Sequence, residues 1–175
     1  MRNVELKVAR DAESLARTRA LALAAGATVA GLLRQISEDG RMEHAVLIGY
    51  ARGDVAGARE SAYEIVAIAD APGLIALLGA TLGVRAQVVK QRELLLLRHT
   101  RIHLDRVERL GAFVELETLV GAAEAGRDGA AGVADAAAGE RELREIAVAL
   151  ELPLEAGIPG SYADLLERLD AEGTP

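Results

Sequence analysis

Residues 100–117 read TRIHLDRVERLGAFVELE, and this stretch decides how the chain folds. Its first half alternates between two sides, with Thr100, Ile102 and Leu104 on one and Arg101, His103 and Asp105 on the other. The second half repeats the pattern after Gly111, where Glu115 and Glu117 lie two residues apart. Because a period of two is typical of β-strands, this stretch predicts two paired strands with one apolar face and one charged face.

Three further segments carry charged residues in the same way. Residues 3–8 alternate around Glu5 and Lys7, residues 84–98 contain Lys90 and Arg92, and residues 42–52 end on Arg52. Residues 29–35 and 61–69 are also predicted strands. Two charges spaced by two residues point to the same face of a strand. The sequence therefore predicts a sheet that carries its charged side chains on one face.

Helices interrupt these strands at capping residues. Asp11 caps a predicted helix over 12–25, Asp70 caps one with Pro72 in its first turn and its apolar stripe over 74–82, and Ser161 caps one over 161–169. A fourth helix is predicted over 140–150. Residues 121–139 are almost entirely Ala, Gly, Asp and Glu, which is typical of a mobile linker or a poorly held helix start. Strands without regular βαβ alternation favour the α+β class with a mainly antiparallel sheet. We expect a single domain over residues 1–170 and a short tail over 171–175.

Composition excludes several classes of function. The 175 residues include no cysteine, which removes disulfides, thiolate metal sites and cysteine nucleophiles. Aromatic residues make up 2% and the net charge is −7, so binding to nucleic acid by stacking or by charge is not expected. No apolar run reaches the roughly 18 residues of a membrane helix, and nothing resembles a signal peptide. We expect a cytoplasmic protein. Only two of the 20 basic residues are lysines, Lys7 and Lys90.

The charged faces allow two interpretations. They face water on a one-sided antiparallel sheet, or they line the lumen of a closed sheet of about eight strands, large enough for one small ligand. The charged residues on these faces are five basic ones and four acidic ones: Lys7, Arg52, Lys90, Arg92 and Arg101 with Glu5, Asp105, Glu115 and Glu117. Together they carry a net charge of +1 although the whole chain carries −7, so positive charge concentrates where a polyanion could bind. His99 and His103 would lie roughly 13 Å apart on a strand, too far to share a metal ion.

Several motifs resemble the CYTH domain family, the triphosphate tunnel metalloenzymes. Residues 3–7 (NVELK) look like a variant of its E-x-E-x-K strand, and residues 90–94 (KQREL) like its K-x-R-E-L strand. Residues 100–117 resemble the signature T-R-I-H-L-D-x-V-x-x-L-G-x-F-x-E-x-E. Residues 47–52 (LIGYAR) and 161–166 (SYADLL) match a further strand and the closing helix. The family includes class IV adenylate cyclases, thiamine triphosphatases and inorganic triphosphatases, so the resemblance implies a β-barrel tunnel flanked by helices.

The resemblance also implies roles for individual residues. Phosphate-binding roles fall to the basic residues Lys7, Arg52, Lys90, Arg92 and Arg101. Glu5, Glu115 and Glu117 would bind Mg²⁺ or Mn²⁺, and Lys7 and Asp105 are the candidate catalytic residues. The substrate would be a small molecule containing a triphosphate, which is hydrolysed or, if it is ATP, cyclised to cyclic AMP. A homodimer stays open, and neither nucleic acid nor a membrane is an expected partner.

Two departures from the family pattern leave alternatives open. Asn3 stands where the first Glu of E-x-E-x-K is usual, and an amide brings no charge to a metal. After Gln35 the chain passes through residues 36–41 directly to the strand that begins at Met42, so about one hairpin of the family is missing. We therefore expect an incomplete barrel or one with fewer than eight strands. An active enzyme, a triphosphate- or polyphosphate-binding pseudoenzyme and a structural paralogue with solvated charges all remain.

Overall fold

The chain forms one seven-stranded sheet with helices on both faces. The computed structural model describes residues 2–32, 45–52, 59–121, 132–133 and 135–173. The strands are β1 (Arg2–Arg10), β2 (Thr28–Leu32), β3 (Ala45–Arg52), β4 (Arg59–Ile68), β5 (Lys90–Leu97), β6 (Thr100–Val107) and β7 (Gly111–Val120). They lie in the order β2-β5-β6-β7-β1-β4-β3, and every neighbouring pair is antiparallel. The predicted α+β class is confirmed.

The sheet does not close into a barrel within the described residues. β2 and β3 form its two edges, which confirms the expectation of an incomplete barrel with fewer than eight strands. The predicted turn over residues 36–40 and the position of the missing hairpin lie outside the described residues. The center of the sheet is the run β5-β6-β7-β1, where the charged motifs lie.

The apolar face of the sheet packs under two helices, α1 (Ala12–Ala24) and α3 (Ala136–Ala149). Asp11 and Asp135 begin these helices by accepting hydrogen bonds from the backbone N–H groups of Ser14 and Ala138. The core combines the buried sides of β1, β6 and β7 with buried residues of both helices: Val4, Leu6, Val8, Ile102, Leu104, Val114 and Leu116 with Leu15, Ala22, Leu143, Ile146 and Ala147. Period-two alternation in the strands thus separates the core from the charged face.

Two predicted elements differ from the structure. The strand predicted to start at Val84 starts at Lys90, because its partner β6 ends at Val107, which pairs with Lys90. The helix predicted after Asp70 is α2 (Ala71–Leu82), but Ile75, Leu77 and Leu82 of its predicted apolar stripe are exposed and Ala71 is its one buried residue. Most of the predicted linker over 121–139 lies outside the described residues, although its last part already belongs to α3.

The last helix, α4 (Tyr162–Glu172), lies on the charged side of the sheet. Ser161 accepts a hydrogen bond from the N–H of Asp164, and the Asp164 carboxylate accepts one from the N–H of Ser161, which makes a capping box. The segment before α4 is tied to β1 by a hydrogen bond from the N–H of Ile158 to the carbonyl of Lys7. No helix among the described residues is long and apolar enough to span a membrane.

Candidate functional site

Strand register gathers the charged side chains of β5, β6, β7 and β1 on one face. Directly opposite pairs are Arg92–Asp105, His103–Glu115, Arg101–Glu117, Lys7–Glu115 and Glu5–Glu117. Residues paired in this way have Cβ atoms only about 5 Å apart, so their side chains interact across the strands. The charged face is therefore one continuous surface rather than separate exposed rows.

This surface encloses a cavity of about 160 Å³. Its described lining consists of Leu6 and Leu116 with the charged or ionisable residues Glu5, Lys7, Arg92, His103, Glu115 and Glu117. Several of these side chains are largely buried, since Lys7 is 4% and His103 9% exposed. Solvated charges on a one-sided sheet would be more exposed than this. The surface is therefore built to hold charge away from bulk water.

Asp105 is a fully buried acceptor just beyond one end of the cavity, next to the lining residue Arg92. Arg92 binds it with two hydrogen bonds, the Nε–Oδ1 bond being 2.6 Å long, and Lys90 Nζ lies 3.1 Å from Oδ2. The hydroxyl of Tyr162 donates a further bond of 2.9 Å. Burial raises the pKa of Asp105, but the hydrogen bond and charge of Arg92 and the charge of Lys90 outweigh burial and lower it. Asp105 is thus an ionised counter-ion that holds two cations in place.

Glu115 occupies the middle of the cavity wall, between two cations. Lys7 Nζ lies 3.2 Å from its Oε1, and Arg92 Nη2 donates to its Oε2. Burial acts to raise its pKa, yet His103, Arg92 and Lys7 together hold the pKa well below the ordinary value. Glu115 is consequently ionised, and both of its oxygens face positive or hydrogen-bonding groups. In the structure it acts as a counter-ion to the basic residues.

Tyr162, the first residue of α4, lies against Asp105 beside the cavity. Lys7 Nζ lies 4.2 Å and Lys90 Nζ 4.9 Å from the center of its ring, both within the range of cation–π attraction. Phe113 packs edge-on against the same ring, with 5.0 Å between the ring centers. Lys7 also donates a 3.0 Å hydrogen bond to the carbonyl of Gly160. The C-terminal segment therefore fixes the ammonium groups that β1 and β5 supply.

Burial and neighbouring charges shift the pKa values at this end of the cavity. The pKa of Lys90 is lowered, first by burial and then by the charge of Arg92. The pKa of Tyr162 is raised by burial and by the carboxylates of Glu115 and Asp105, so its hydroxyl stays protonated and donates to Asp105. The pKa of Arg92 is raised, because its bond to Asp105 and the charge of Glu115 outweigh burial.

The opposite end of the cavity contains the oxygen atoms that suit a metal ion best. Glu5 and Glu117 are paired across β1 and β7, and Asn3 donates from Nδ2 to Glu117 Oε1. Asn3 is 2% exposed, and its Oδ1 has no hydrogen-bond partner among the described residues. Two carboxylates and an unbonded amide oxygen are the donor types that Mg²⁺ and Mn²⁺ prefer. This donor set fits a hard divalent cation.

The structure separates the predicted metal ligands into two groups. Glu115 is occupied by Lys7 and Arg92, whereas Glu5 and Glu117 lie at the Asn3 end. Within the described ranges, no group of three or more His, Asp or Glu side chains is arranged to hold a metal ion. Arg101 lies 3.4 Å from Glu117 on the same face of the sheet.

For the remaining predicted site residue, Arg52, the structure describes the backbone position only. Arg52 lies in β3 opposite Ser61, which in turn pairs with Asn3, but the side chain of Arg52 lies outside the described part of the chain. The sequence did not predict that His103 lines the cavity or that Tyr162 packs beside it. His103 alternates with Arg101 and Asp105, so the period of two placed it on the correct face. Nothing in the sequence indicated that the Tyr162 ring contacts two lysines.

The fold and the cavity together define the class of this protein. It is an α+β protein whose candidate ligand site lies on the charged face of an antiparallel sheet. The model of the CYTH domain matches residues 33–149, more than half of the sequence, and the chain belongs to the CYTH domain family. This family generally depends on divalent metal ions, and membership supports a triphosphate-related function in general terms.

Solved structures with the same fold come from archaea and bacteria. The PH1012 protein of Pyrococcus horikoshii shares 18% identity with a TM-score of 0.64, over 93% of this chain and 98% of that one. A conserved hypothetical protein of Pyrococcus furiosus shares 16% identity with a TM-score of 0.67, over 93% and 99%. A Vibrio parahaemolyticus protein provisionally described as an adenylate cyclase shares 16% with a TM-score of 0.55, over 94% and 97%. Among curated proteins, none matches the sequence.

Proposed function

We propose that this protein binds the triphosphate group of a small molecule on its charged sheet face, together with a divalent cation, and turns that molecule over. The observation that supports this most strongly is the cavity lined by Lys7 and Arg92 with Glu5, Glu115 and Glu117. Buried cations on rigid strands bind phosphate oxygens without first having to be ordered. Membership in the CYTH domain family points in the same direction.

The basic side chains would hold the phosphate chain. Lys7, Arg92, Lys90 and Arg101 all lie on one face, and each already pairs with a carboxylate. A bound phosphate therefore competes with Glu115 and Glu117 for these cations. Asp105 is fully buried between Lys90, Arg92 and Tyr162, so it would stay in place and keep two cations oriented. Its proposed part in catalysis is to position the groups that touch the substrate.

Glu5 and Glu117, with Asn3 Oδ1, would hold the divalent cation. A bound Mg²⁺ or Mn²⁺ supplies charge neutralisation at the phosphate oxygens. It would also relieve the competition in the cavity, because a cation beside Glu117 leaves Arg101 available for the substrate. We keep Glu115 as a weaker candidate ligand, since Lys7 and Arg92 would first have to release it.

Two reactions suit such a site. In hydrolysis, water attacks the terminal phosphorus, the bridging P–O bond breaks, the diphosphate end of the substrate leaves, and the terminal phosphoryl group becomes orthophosphate. In cyclisation of ATP, the ribose 3′-hydroxyl attacks the α-phosphorus and pyrophosphate leaves. Both reactions depend mainly on positioning the phosphate chain and neutralising its charge, which Lys7 and the arginines would do. One experiment therefore tests three reactions: hydrolysis of thiamine triphosphate, hydrolysis of inorganic triphosphate and cyclisation of ATP.

A second candidate function is triphosphate or polyphosphate binding without turnover. Two observations favour it: Asn3 brings no charge to the cation site, and Glu115 is neutralised by Lys7 and Arg92. An amide in place of a carboxylate lowers affinity for a divalent cation. Such a protein would bind tripolyphosphate yet release no phosphate.

The experiment that separates these functions measures products and binding on the same sample. Purified protein is incubated with ATP, thiamine triphosphate or tripolyphosphate in the presence of Mg²⁺ or Mn²⁺. Orthophosphate, pyrophosphate and cyclic AMP are quantified, and tripolyphosphate binding is measured by calorimetry. Turnover of any substrate supports the enzyme. Binding without product supports the second function, and the absence of both overturns the proposal.

A matched pair of variants tests the cation site. Glu117→Gln keeps the shape of the side chain but removes its charge beside Asn3, so metal-dependent activity or binding should fall at least about tenfold. Glu140→Gln removes the same charge from a half-exposed side chain of α3 that pairs with Arg144 four residues on, away from the cavity, and should leave function unchanged. Equal function in the two variants would show that Glu117 does not hold the cation.

A further inference from the structure

His103 lies at the center of the cavity, on β6. Its strand partners are Glu115 in β7 and Leu94 in β5, and its side chain lines the cavity beside Lys7 and Arg92. It is 9% exposed, which makes it one of the most buried polar residues of the charged face. The proposed function assigns it no role.

The Nδ1 atom of His103 lacks the hydrogen bond that such burial normally requires, although the ring lies close enough to Glu115 to help lower the pKa of that carboxyl. Its Nδ1 is buried and has no hydrogen-bond partner in the described residues. Nδ1 lies 3.7 Å from Oε2 of Glu115, and Nε2 lies 3.6 Å from Oε2 of Glu117. Both distances exceed those of a hydrogen bond. The other histidine of this hairpin, His99, bonds Glu142 through Nδ1 at 2.9 Å.

The surroundings of Nδ1 indicate what kind of atom would bond it. A buried polar atom without a partner is costly, so its position is best explained by a ligand that supplies one. Lys7 and Arg92 line the same cavity and attract anionic oxygen. An imidazole N–H is a donor, and a phosphoryl oxygen is an acceptor that both cations and an N–H can share.

We propose that His103 contacts the substrate directly, by donating a hydrogen bond from Nδ1 to a phosphoryl oxygen held by Lys7 and Arg92. This inference rests on the proposed function, because it takes the ligand to be a triphosphate. It adds an imidazole N–H donor to a set of lysine and arginine side chains. His103 thereby helps to fix the position of the phosphate chain along the cavity.

A nitrogen-detected measurement tests the contact in the intact protein. Protein labelled with ¹⁵N-histidine is titrated with tripolyphosphate, first with a metal chelator and then with Mg²⁺. The Nδ1 resonance of His103 should shift with saturation, while that of His99, bonded to Glu142 away from the cavity, should stay in place. A His103 resonance that does not move at saturating tripolyphosphate would overturn the inference.

Three variants identify the nitrogen that makes the contact. His103→Asn places an amide N–H near the position of Nδ1 and should bind tripolyphosphate within about threefold of the unmodified protein, whereas His103→Leu should bind at least about tenfold more weakly. His99→Asn is the control and should bind normally. If His103→Leu fails to fold, His103→Gln takes its place, because its amide lies near the position of Nε2. Stronger binding of tripolyphosphate by His103→Gln than by His103→Asn contradicts the assignment to Nδ1.

Failure of this inference can be told apart from failure of the proposed function. If the unmodified protein binds no tripolyphosphate, with or without metal, both are overturned. If it binds tripolyphosphate and His103→Leu binds equally well, only the role of His103 is overturned. Normal binding by His103→Asn together with weak binding by His103→Leu supports a contact through Nδ1.

Discussion

Replacing Asp105 by Asn should reveal how the basic residues of the cavity are held. The carboxylate is fully buried and accepts hydrogen bonds from Arg92, Lys90 and Tyr162. Asparagine has nearly the same shape but no charge, and its NH₂ group would point a donor at side chains that are themselves donors. Lys90 and Arg92 would then repel one another with no counter-ion between them, apart from Glu115 on the far side of Arg92.

The size of the effect follows from burial. Removing one partner of a buried ion pair costs about 3–5 kcal/mol. Lys90 is 29% exposed and Arg92 keeps its bond to Glu115, so we expect a loss near the lower limit, about 3 kcal/mol. For a chain of this length, each kcal/mol lowers the unfolding midpoint by about 2–4 °C. Asp105→Asn should therefore unfold about 6–12 °C earlier in a thermal melt.

The same change should strengthen anion binding. Without the Asp105 charge, Lys90 and Arg92 are available to phosphate oxygens, so tripolyphosphate should raise the midpoint of Asp105→Asn by more than it raises that of the unmodified protein. Asp170→Asn is the matched control, because it removes a carboxylate from an exposed pair with Arg109 and should change neither property measurably. A variant with an unchanged midpoint, or with weaker stabilisation by tripolyphosphate, would refute this reasoning.

Three further predictions concern the same cavity. The pKa of Lys90 is lowered, so a larger fraction of its amine is unprotonated and able to react than in an ordinary lysine. An acylating reagent should therefore label Lys90 faster than the buried Lys7. Tripolyphosphate should protect Lys90 from labelling, as peptide mass spectrometry can measure. The pKa of Glu115 is lowered in the folded state, so its ion pairs stabilise the protein fully above its ordinary pKa of 4.5 and are lost as the pH falls through the folded pKa. Urea unfolding at a series of acidic pH values should thus depend less on pH in Glu115→Gln; an unchanged slope contradicts this. Tyr162→Phe should cost about 1 kcal/mol, because it removes one bond to Asp105 but keeps the ring, and urea unfolding should show a larger loss for Tyr162→Ala.

The strands that could be predicted are those whose two faces meet different surroundings. In β6, Arg101, His103 and Asp105 alternate with apolar residues, and Glu115 and Glu117 do so in β7, which reproduces the observed charged face. The start of β5 could not be found in this way, because a strand extends only as far as its partner, and β6 ends at Val107. The exposure of the apolar side chains in α2 was equally hidden, since local pattern shows that a helix has apolar residues but not which surface they meet.

The candidate site was predictable as a set of residues but not as a set of contacts. Period two places Lys7, Arg92 and Glu115 on one face without showing which of them pair. Pairing depends on register, and register depends on the turns that join β5 to β6 and β6 to β7. The turn between β6 and β7 brings Glu115 opposite His103, whereas the long-range pairing of β1 with β7 brings it opposite Lys7, for which it acts as a counter-ion. Asn3 was visible as a departure in the sequence, whereas its unbonded Oδ1 could be found only from the packing around it.

The two lysines of the chain show how chemistry and packing combine in this cavity. Both contact the ring of Tyr162, although Lys7 belongs to β1 and Lys90 to β5. Around Lys7, the ring center, the Gly160 carbonyl and a Glu115 oxygen lie 4.2, 3.0 and 3.2 Å from one nitrogen. A compact ammonium can serve three partners in different directions, whereas a guanidinium directs its donors within a plane. In a chain that uses arginine at 18 of its 20 basic positions, these geometric demands explain why lysine stands at these two.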